Sequence, residues 1–453
     1  VIKILFSVVN IDRNSEFTSA NPIKNFQMHR KGRLLLLLSQ LFTLAHAQTY
    51  TSFFTGDTTD VQTTTQGVVC LMGGRSENDD AMKWWLQRAG GGDVVVLRTT
   101  GGNGYNNYLY SELGIPVNSV ETLVLPNRAA AQDPYVAQQV RNAEAIWIAG
   151  GDQSTYLNNW RGTPLHDALV HVAQIKKIPI GGTSAGMAVL GQYYYGAFGS
   201  SATSATVLAN PMHPSVTLGG RDFLNLDYLW NTITDTHFDN PDRKGRLVTF
   251  MARLAVDSGI RPLAIACDEY TAVCIDTNGL ARVFGEFPAY DDNAYFLQAN
   301  CIAPWLPDTL SNGQPLVWNR NGAALKVYQV KGTLNGSHAF DLTDWKSGSG
   351  GNWHNWHVTG SQLIETSTMI LPDCALAAGL HQLSLRPQRL QVYPNPCHPS
   401  CQLAGYEGEV TLRNMQGQVV LRTWVDLEND LKLPYAGLFI AHTQDGKWVK
   451  VMK

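Results

Sequence analysis

The sequence predicts an α/β fold: a mostly parallel sheet covered on both faces by helices, then a small C-terminal β-sandwich. Between residues 67 and 191, short runs that are apolar throughout alternate with segments of helical spacing. That is the pattern of parallel strands buried on both faces. Several of these runs close on paired glycines, where a chain leaving a strand can turn sharply. From Leu390 onward the chain reads instead as short alternating strands separated by turn signals.

The elements follow in order. "GVVCLMGG" (Gly67–Gly74) is a buried strand closed by glycines, and "DDAMKWWLQRAGG" (Asp79–Gly91) a helix with a glycine stop. "DVVVLRTTGG" (Asp93–Gly102) and "VETLVLP" (Val120–Pro126) are strands. "DPYVAQQVRNAE" (Asp133–Glu144) is a helix with Pro134 at its first position. "AIWIAGGDQ" (Ala145–Gln153) is a strand and turn, "TPLHDALVHVAQIKK" (Thr163–Lys177) an amphipathic helix, and "IPIGG" the strand after it.

Length and composition bound the rest. The chain has 453 residues, enough for two or three domains; 44% are hydrophobic, and the formal charge is −3. There is no basic footprint for nucleic acid. "MHRKGRLLLLLSQLFTLAHAQ" has a basic start, an apolar run too short to span a bilayer, and an Ala-x-Ala site at Ala45–Ala47. Residues 28–47 therefore read as a signal peptide, with Gln48 the mature start, and residues 1–27 as upstream translation. Export permits disulfides among the seven cysteines. Cys301 with Cys374 and Cys397 with Cys401 are candidate pairs, though spacing does not fix connectivity. Cys70 and Cys267 lie in apolar runs and read as buried thiols. No His/Cys spacing suits zinc, and no metal or cofactor is expected.

Gly182-Thr183-Ser184-Ala185-Gly186 fits G-x-S-x-G, the turn that lifts a nucleophilic serine above a sheet. Alone, it fits a tight strand–helix connection as well. Ser184 and the Gly150-Gly151 pair both fall at strand ends, where ligands of such sheets bind, so they can share one site. A serine needs a base, and His237, just before an Arg-rich helix, can supply it. An acid at another strand end would hold the imidazole, and Asp268 and Glu269 stand between two apolar strands.

Together "GGDQSTYL", "GGTSAGM", "DTHF…DRKGRL" and "CDEYTAV" occur in an order that resembles the cyanophycinase branch of the serine peptidases related to dipeptidase E. The resemblance runs from Gly67 to about Asp344, and the peptidase domain with its extension is expected over residues 60–387. It implies a three-layer α/β/α sandwich similar to class I glutamine amidotransferases. It also implies Ser184 as nucleophile, His237 as general base and Glu269 as acid, with Gly151 and Ala185 amides forming the oxyanion hole. Gln153, Asp235, Arg243 and Arg246 match residues that line the substrate pocket, the two arginines as carboxylate-binding or structural groups. The Ser, His, Glu order differs from that of α/β-hydrolases. The implied activity is hydrolysis of cyanophycin, a polyaspartate bearing arginine on each β-carboxyl, to β-Asp-Arg dipeptides, and the implied assembly is a homodimer. Thr236 and Pro241 depart from the Gln and Arg common there, which leaves open other β-aspartyl or acidic peptides, or a silent binding protein on the same fold.

"DWKSGSGGNWHNWHVTG" (Asp344–Gly360) reads as a glycine-rich hairpin whose aromatics pack on the domain, a substrate lid being the alternative. The tail, residues 388–453, has a YPNP opening, "GQVV", "AGLFIAHTQDG" and a closing Lys-Val-Met-Lys. It resembles the C-terminal sorting domain of type IX secretion in Bacteroidetes-like bacteria. That implies passage through the type IX machinery and a secreted or cell-surface protein.

Overall fold

The computed structural model describes residues 49–301 and 305–371, and seven short stretches between 391 and 452. The upstream stretch and the leader expected over residues 1–47 lie outside the described residues.

The first half of the chain builds the sheet that holds the site. β1 (Thr51–Gly56), β2 (Val69–Met72), β3 (Asp93–Arg98), β4 (Ser119–Val124), β5 (Ala145–Ile148) and β6 (Ile180–Thr183) lie in the order β1-β4-β3-β5-β6-β2. From β4 through to β2 every neighbouring pair is parallel, and β1 joins antiparallel at the edge. β2, β5 and β6 are buried at every residue, which is why their sequences show no alternation.

Helices cover both faces. On one, Cys70, Met72, Val94 and Val96 meet Ala81, Met82 and Trp85 of α1 (Asp79–Leu86). On the other, Leu71, Val95, Leu97 and Ile148 meet α2 (Pro134–Asn142), α3 (Gln153–Trp160) and α4 (Pro164–His171) through Val140, Leu157 and Leu169. Each start carries its signal. Asn78 Oδ1 accepts from Ala81 N at 3.0 Å, and Asp133, Asp152 and Thr163 cap the other three. α2 and α4 begin with proline, whose missing N–H costs nothing there.

Beyond β6 the chain departs from the mostly parallel sheet expected. β7 (Tyr193–Tyr195), β8 (Leu218–Gly220), β9 (Thr232–Asp235) and β10 (Leu263–Cys267) open a second sheet. β11 (Ala272–Ile275) and β12 (Leu280–Phe287) return to the first, where β11 runs antiparallel to β2. β13 (Asn293–Ala299), β14 (Leu325–Lys331), β17 (Gly351–Thr359) and β18 (Gln362–Ser367) extend the second sheet. β15 (His338–Asp341) and β16 (Gly348–Ser349) extend the first. Connection length explains the mixture: residues 276–279 and 360–361 suffice for a hairpin but not for a parallel crossover.

The second sheet also adds a layer. Ile265, Phe296 and Val330 join the core beneath the first sheet, while Ala264, Leu297 and Val327 face α5 (Lys244–Asp257) through Leu247, Phe250 and Met251. The alternation follows the strand period of two. The tryptophan-rich stretch obeys it too: Trp353 enters the first core, Trp356 the second, and Trp345 is fully buried. β17 pairs with β18, so the hairpin spans 351–367 rather than the 344–360 expected. The aromatics of 344–360 are therefore packed on the domain.

Cys70, Cys267 and Cys274 are buried free thiols, with Cys70 and Cys274 Sγ 3.5 Å apart across the β2–β11 pair. Cys301 is disulfide-bonded; Cys374, Cys397 and Cys401 lie outside the described residues. In the tail, strands Gly408–Asn414, Val419–Val425, Leu438–Thr443 and Trp448–Met452 form an antiparallel sheet, and Gln391–Tyr393 pairs with Gln402–Ala404. Gln416-Gly417, Ala436-Gly437 and Asp445-Gly446, the turn signals between the tail strands, lie outside the described residues.

Candidate active site

Five strand ends converge on the site: Gly73-Gly74-Arg75 after β2, Gly150-Gly151 after β5, Ser184 after β6, His237 after β9 and Glu269 after β10. Residues 268–271 cross from the second sheet to the first, so the acid sits where the two sheets meet.

Ser184 has φ 52° and ψ −119°, a conformation costly for any residue with a Cβ. The glycines on either side make it attainable. A Cβ on Gly182 would stand 2.8 Å from Gly186 C and 2.9 Å from Ile148 O, and one on Gly186 2.0 Å from Ile148 O. The serine amide donates to Met72 O at 3.0 Å, tying the elbow to β2. The helix that follows is a single turn, Ala185–Ala188, so nearby N–H groups rather than a long helix dipole act on Ser184.

Ser184 Oγ lies 2.8 Å from His237 Nε2, and His237 Nδ1 lies 2.6 Å from Glu269 Oε1. With a neutral imidazole, Nδ1–H donates to the carboxylate and Nε2 accepts from the serine hydroxyl. His237 has φ 47°, and its amide donates to Gly73 O at 2.9 Å. The Glu269 amide donates to Asp239 Oδ1 at 2.9 Å. Burial of Glu269 favours its neutral acid, but hydrogen bonds from His237 and then Arg75 outweigh it and hold the carboxyl below its ordinary value. Arg75 and Tyr270, at φ 70° and 63°, share the left-handed backbone of Ser184 and His237.

Gly150 backs directly onto the serine: a Cβ there would lie 3.5 Å from Ser184 Cβ. The Tyr156 hydroxyl, from α3, is 2.9 Å from both Ala149 O and Gly150 O and fixes this turn. Outside the helix and strand ladders, neither the Gly151 nor the Ala185 amide donates to a backbone acceptor among the described residues. Gln153 opens α3, half-buried.

Asp235 and Arg246 pair with each other, the structural one of the two roles expected for this arginine. Arg246 Nε donates to Asp235 Oδ2 at 2.9 Å and its NH2 to Oδ1, and both side chains are buried. Two of the three guanidinium nitrogens of Arg246 are thus engaged by the Asp235 carboxylate. Arg243 is half-buried and nearer the acid. Its NH1 donates to Thr236 O at 2.8 Å, its Nε is buried without a partner among the described residues, and burial followed by the charge of Arg246 lowers its pKa. Arg75, Tyr156 and Gly74 escaped sequence reasoning. The signal for Arg75 and Gly74 was their place just past a buried strand. No group of His, Cys, Asp and Glu suited to a metal ion occurs among the described residues.

The geometry agrees with what the chain is similar to. Residues 105–276 match the model of peptidase family S51. That S51 segment contains Gly151, Ser184, His237 and Glu269. A cyanophycinase of Synechococcus elongatus is 30% identical over 171 residues, 38% of this chain and 48% of that protein. One of Geminocystis herdmanii is 28% identical over 178 residues, 39% of this chain and 59% of that protein. The chain thus spans about half the length of the curated relatives it matches. A crystal structure of a peptidase from an acI-B1 Actinobacterium is 14% identical at a TM-score of 0.38, covering 62% of this chain and 98% of that one.

Proposed function

We propose that the protein is a serine-type peptidase of the cyanophycinase kind, cleaving β-aspartyl-arginine polymer to β-Asp-Arg dipeptides. The observation that carries the reading is the hydrogen-bonded chain Ser184–His237–Glu269. In it Ser184 Oγ attacks the amide carbonyl as His237 Nε2 takes its proton. The amides of Gly151 and Ala185 hold the oxyanion. His237 then returns the proton to the departing amine, leaving an ester on Ser184 that water cleaves by the same route in reverse. Glu269 keeps Nδ1–H in place and stabilises the imidazolium.

A second substrate class is favoured by specific residues. Thr236 and Pro241 stand where the cyanophycinase pattern commonly has Gln and Arg, which supports other β-aspartyl or acidic peptides as the second class. The leader at 28–47 and the strand-rich tail support export through type IX machinery, with the tail as sorting domain. The helices on both faces of the first sheet support the amidotransferase-like sandwich.

The test incubates the full chain and Ser184→Ala with cyanophycin and follows β-Asp-Arg by chromatography. Release by the parent alone is expected. A parent that reacts with a fluorophosphonate probe at Ser184 yet releases nothing overturns cyanophycin as substrate and moves the search to other β-aspartyl peptides. A parent inert to both overturns the peptidase reading.

A further inference from the structure

Glu269 is gripped from two sides. His237 Nδ1 meets Oε1 at 2.6 Å, and Arg75 Nε donates to Oε2 at 2.9 Å. Both oxygens of one carboxylate are thus engaged, one by the imidazole and one by a guanidinium. The Arg75 side chain is 58% exposed and that of Glu269 only 9%. An exposed ion pair is ordinarily worth little. This one acts at a different place, on the nearly buried acid that orients His237.

The surroundings leave Arg75 without a substitute. Arg243, at the start of α5, adds its positive field, but its NH1 is turned to the Thr236 carbonyl. Asp239 accepts from the Glu269 amide, Asp268 precedes the acid, and Tyr270 follows it with its amide on Gly74 O at 3.1 Å. Those contacts hold the backbone. Only His237 and Arg75 hold the carboxylate among the described residues. Arg75 itself is fixed by the turn. Gly74, just before it, lies against the His237 ring, and Arg75 takes φ 70°. Arg75 also lies upstream of residues 105–276, outside the segment that matches the family model.

We infer that Arg75 is a positioning residue of this site: it fixes the orientation of the Glu269 carboxylate and, through it, of the His237 imidazole toward Ser184. The inference rests on the serine-peptidase reading above. With Arg75 removed, the carboxylate keeps one hydrogen-bonding partner, can rotate about its last torsion, and loses one of the groups that hold it ionised.

The test measures labelling of Ser184 by a fluorophosphonate probe in the full chain, by mass spectrometry, across a pH series, for the parent, Arg75→Gln and Arg75→Lys. Arg75→Gln should label about ten-fold more slowly, the loss of one charge-assisted hydrogen bond. Its acid-side midpoint should move to higher pH, because Glu269 takes up its proton more readily. Arg75→Lys should recover part of the rate, and all three should melt alike. A Gln variant with the parental rate and pH profile overturns the inference. The low-field His237 Nδ1 proton in the NMR spectrum provides a separate readout. It should broaden or shift in Arg75→Gln, and an unchanged line also overturns the inference. A parent that does not label at all refutes the peptidase reading instead, and the NMR line still decides the role of Arg75.

Discussion

Gly74 lies flat against the His237 imidazole: a Cβ built on it would stand 2.4 Å from both Cε1 and Nε2. The residue also has φ +122°, which L side chains rarely adopt. Gly74→Ala should therefore push the ring off Ser184. A shift of about 1 Å at a reacting group costs on the order of 100-fold. Fluorophosphonate labelling of Ser184 should fall by that factor while the far-ultraviolet dichroism stays parental. Labelling at the parental rate would mean that the ring has room to yield.

Tyr156→Phe tests the other side of the site. The hydroxyl binds the carbonyls of Ala149 and Gly150, and a Cβ on Gly151 would meet it at 2.5 Å. Without it the Gly150-Gly151 turn loses its clamp, and the Gly151 amide its fixed aim. Losing an oxyanion donor outright costs about 3–4 kcal/mol, so a loosened one should lower kcat by roughly ten-fold with little change in KM. A change confined to KM would place Tyr156 in substrate binding instead.

Asp268 predicts a pH dependence of stability. Burial pushes its carboxyl up to about 7, against hydrogen bonding from Asn293 and with Asp239 adding to the rise. Oδ2 accepts from the Asn293 amide and Nδ2, while Oδ1 is buried without a partner among the described residues. Raised from 3.8, the group binds more protons folded than unfolded between the two values. Stability from this group is complete at low pH and declines as pH rises toward 7, then levels off. Urea unfolding at a series of pH values should show Asp268→Asn gaining on the parent across that window, by at most about 1.4 kcal/mol for each pH step of one. A constant difference would exclude Asp268 as the cause.

Arg246→Met tests whether the buried pair with Asp235 is structural. Breaking a buried ion pair from one side leaves a charge uncompensated and costs about 3–5 kcal/mol. Urea unfolding should show that loss in Arg246→Met, and Arg246→Met with Asp235→Leu should recover much of it. Parental stability with a raised KM would return Arg246 to the substrate pocket.

The site was legible where chemistry leaves a pattern in the chain. Ser184 sits in G-x-S-x-G because backbone crowding at Gly182 and Gly186 demands glycine. The parallel strands of the first sheet were legible because burial on both faces removes alternation. Apart from β10, the second sheet was not: β13, β14 and β17 carry Tyr295, Lys326 and His354 among apolar residues and join through hairpins and loops whose geometry no single motif announces. Arg75 was hidden for a similar reason. A single arginine has no spacing to betray it, and its partner Glu269 lies 194 residues away.

The left-handed backbone at Arg75, Ser184, His237 and Tyr270 has an evolutionary consequence. Each such residue costs on the order of 1 kcal/mol or more relative to glycine in the same conformation. Glycine at position 184 or 237 would relax the chain while deleting the group the position exists to present. Selection for heat resistance alone would therefore erode this site before it touched the core. Serine and histidine at those two strained positions thus cost the fold stability for the sake of the side chains they present.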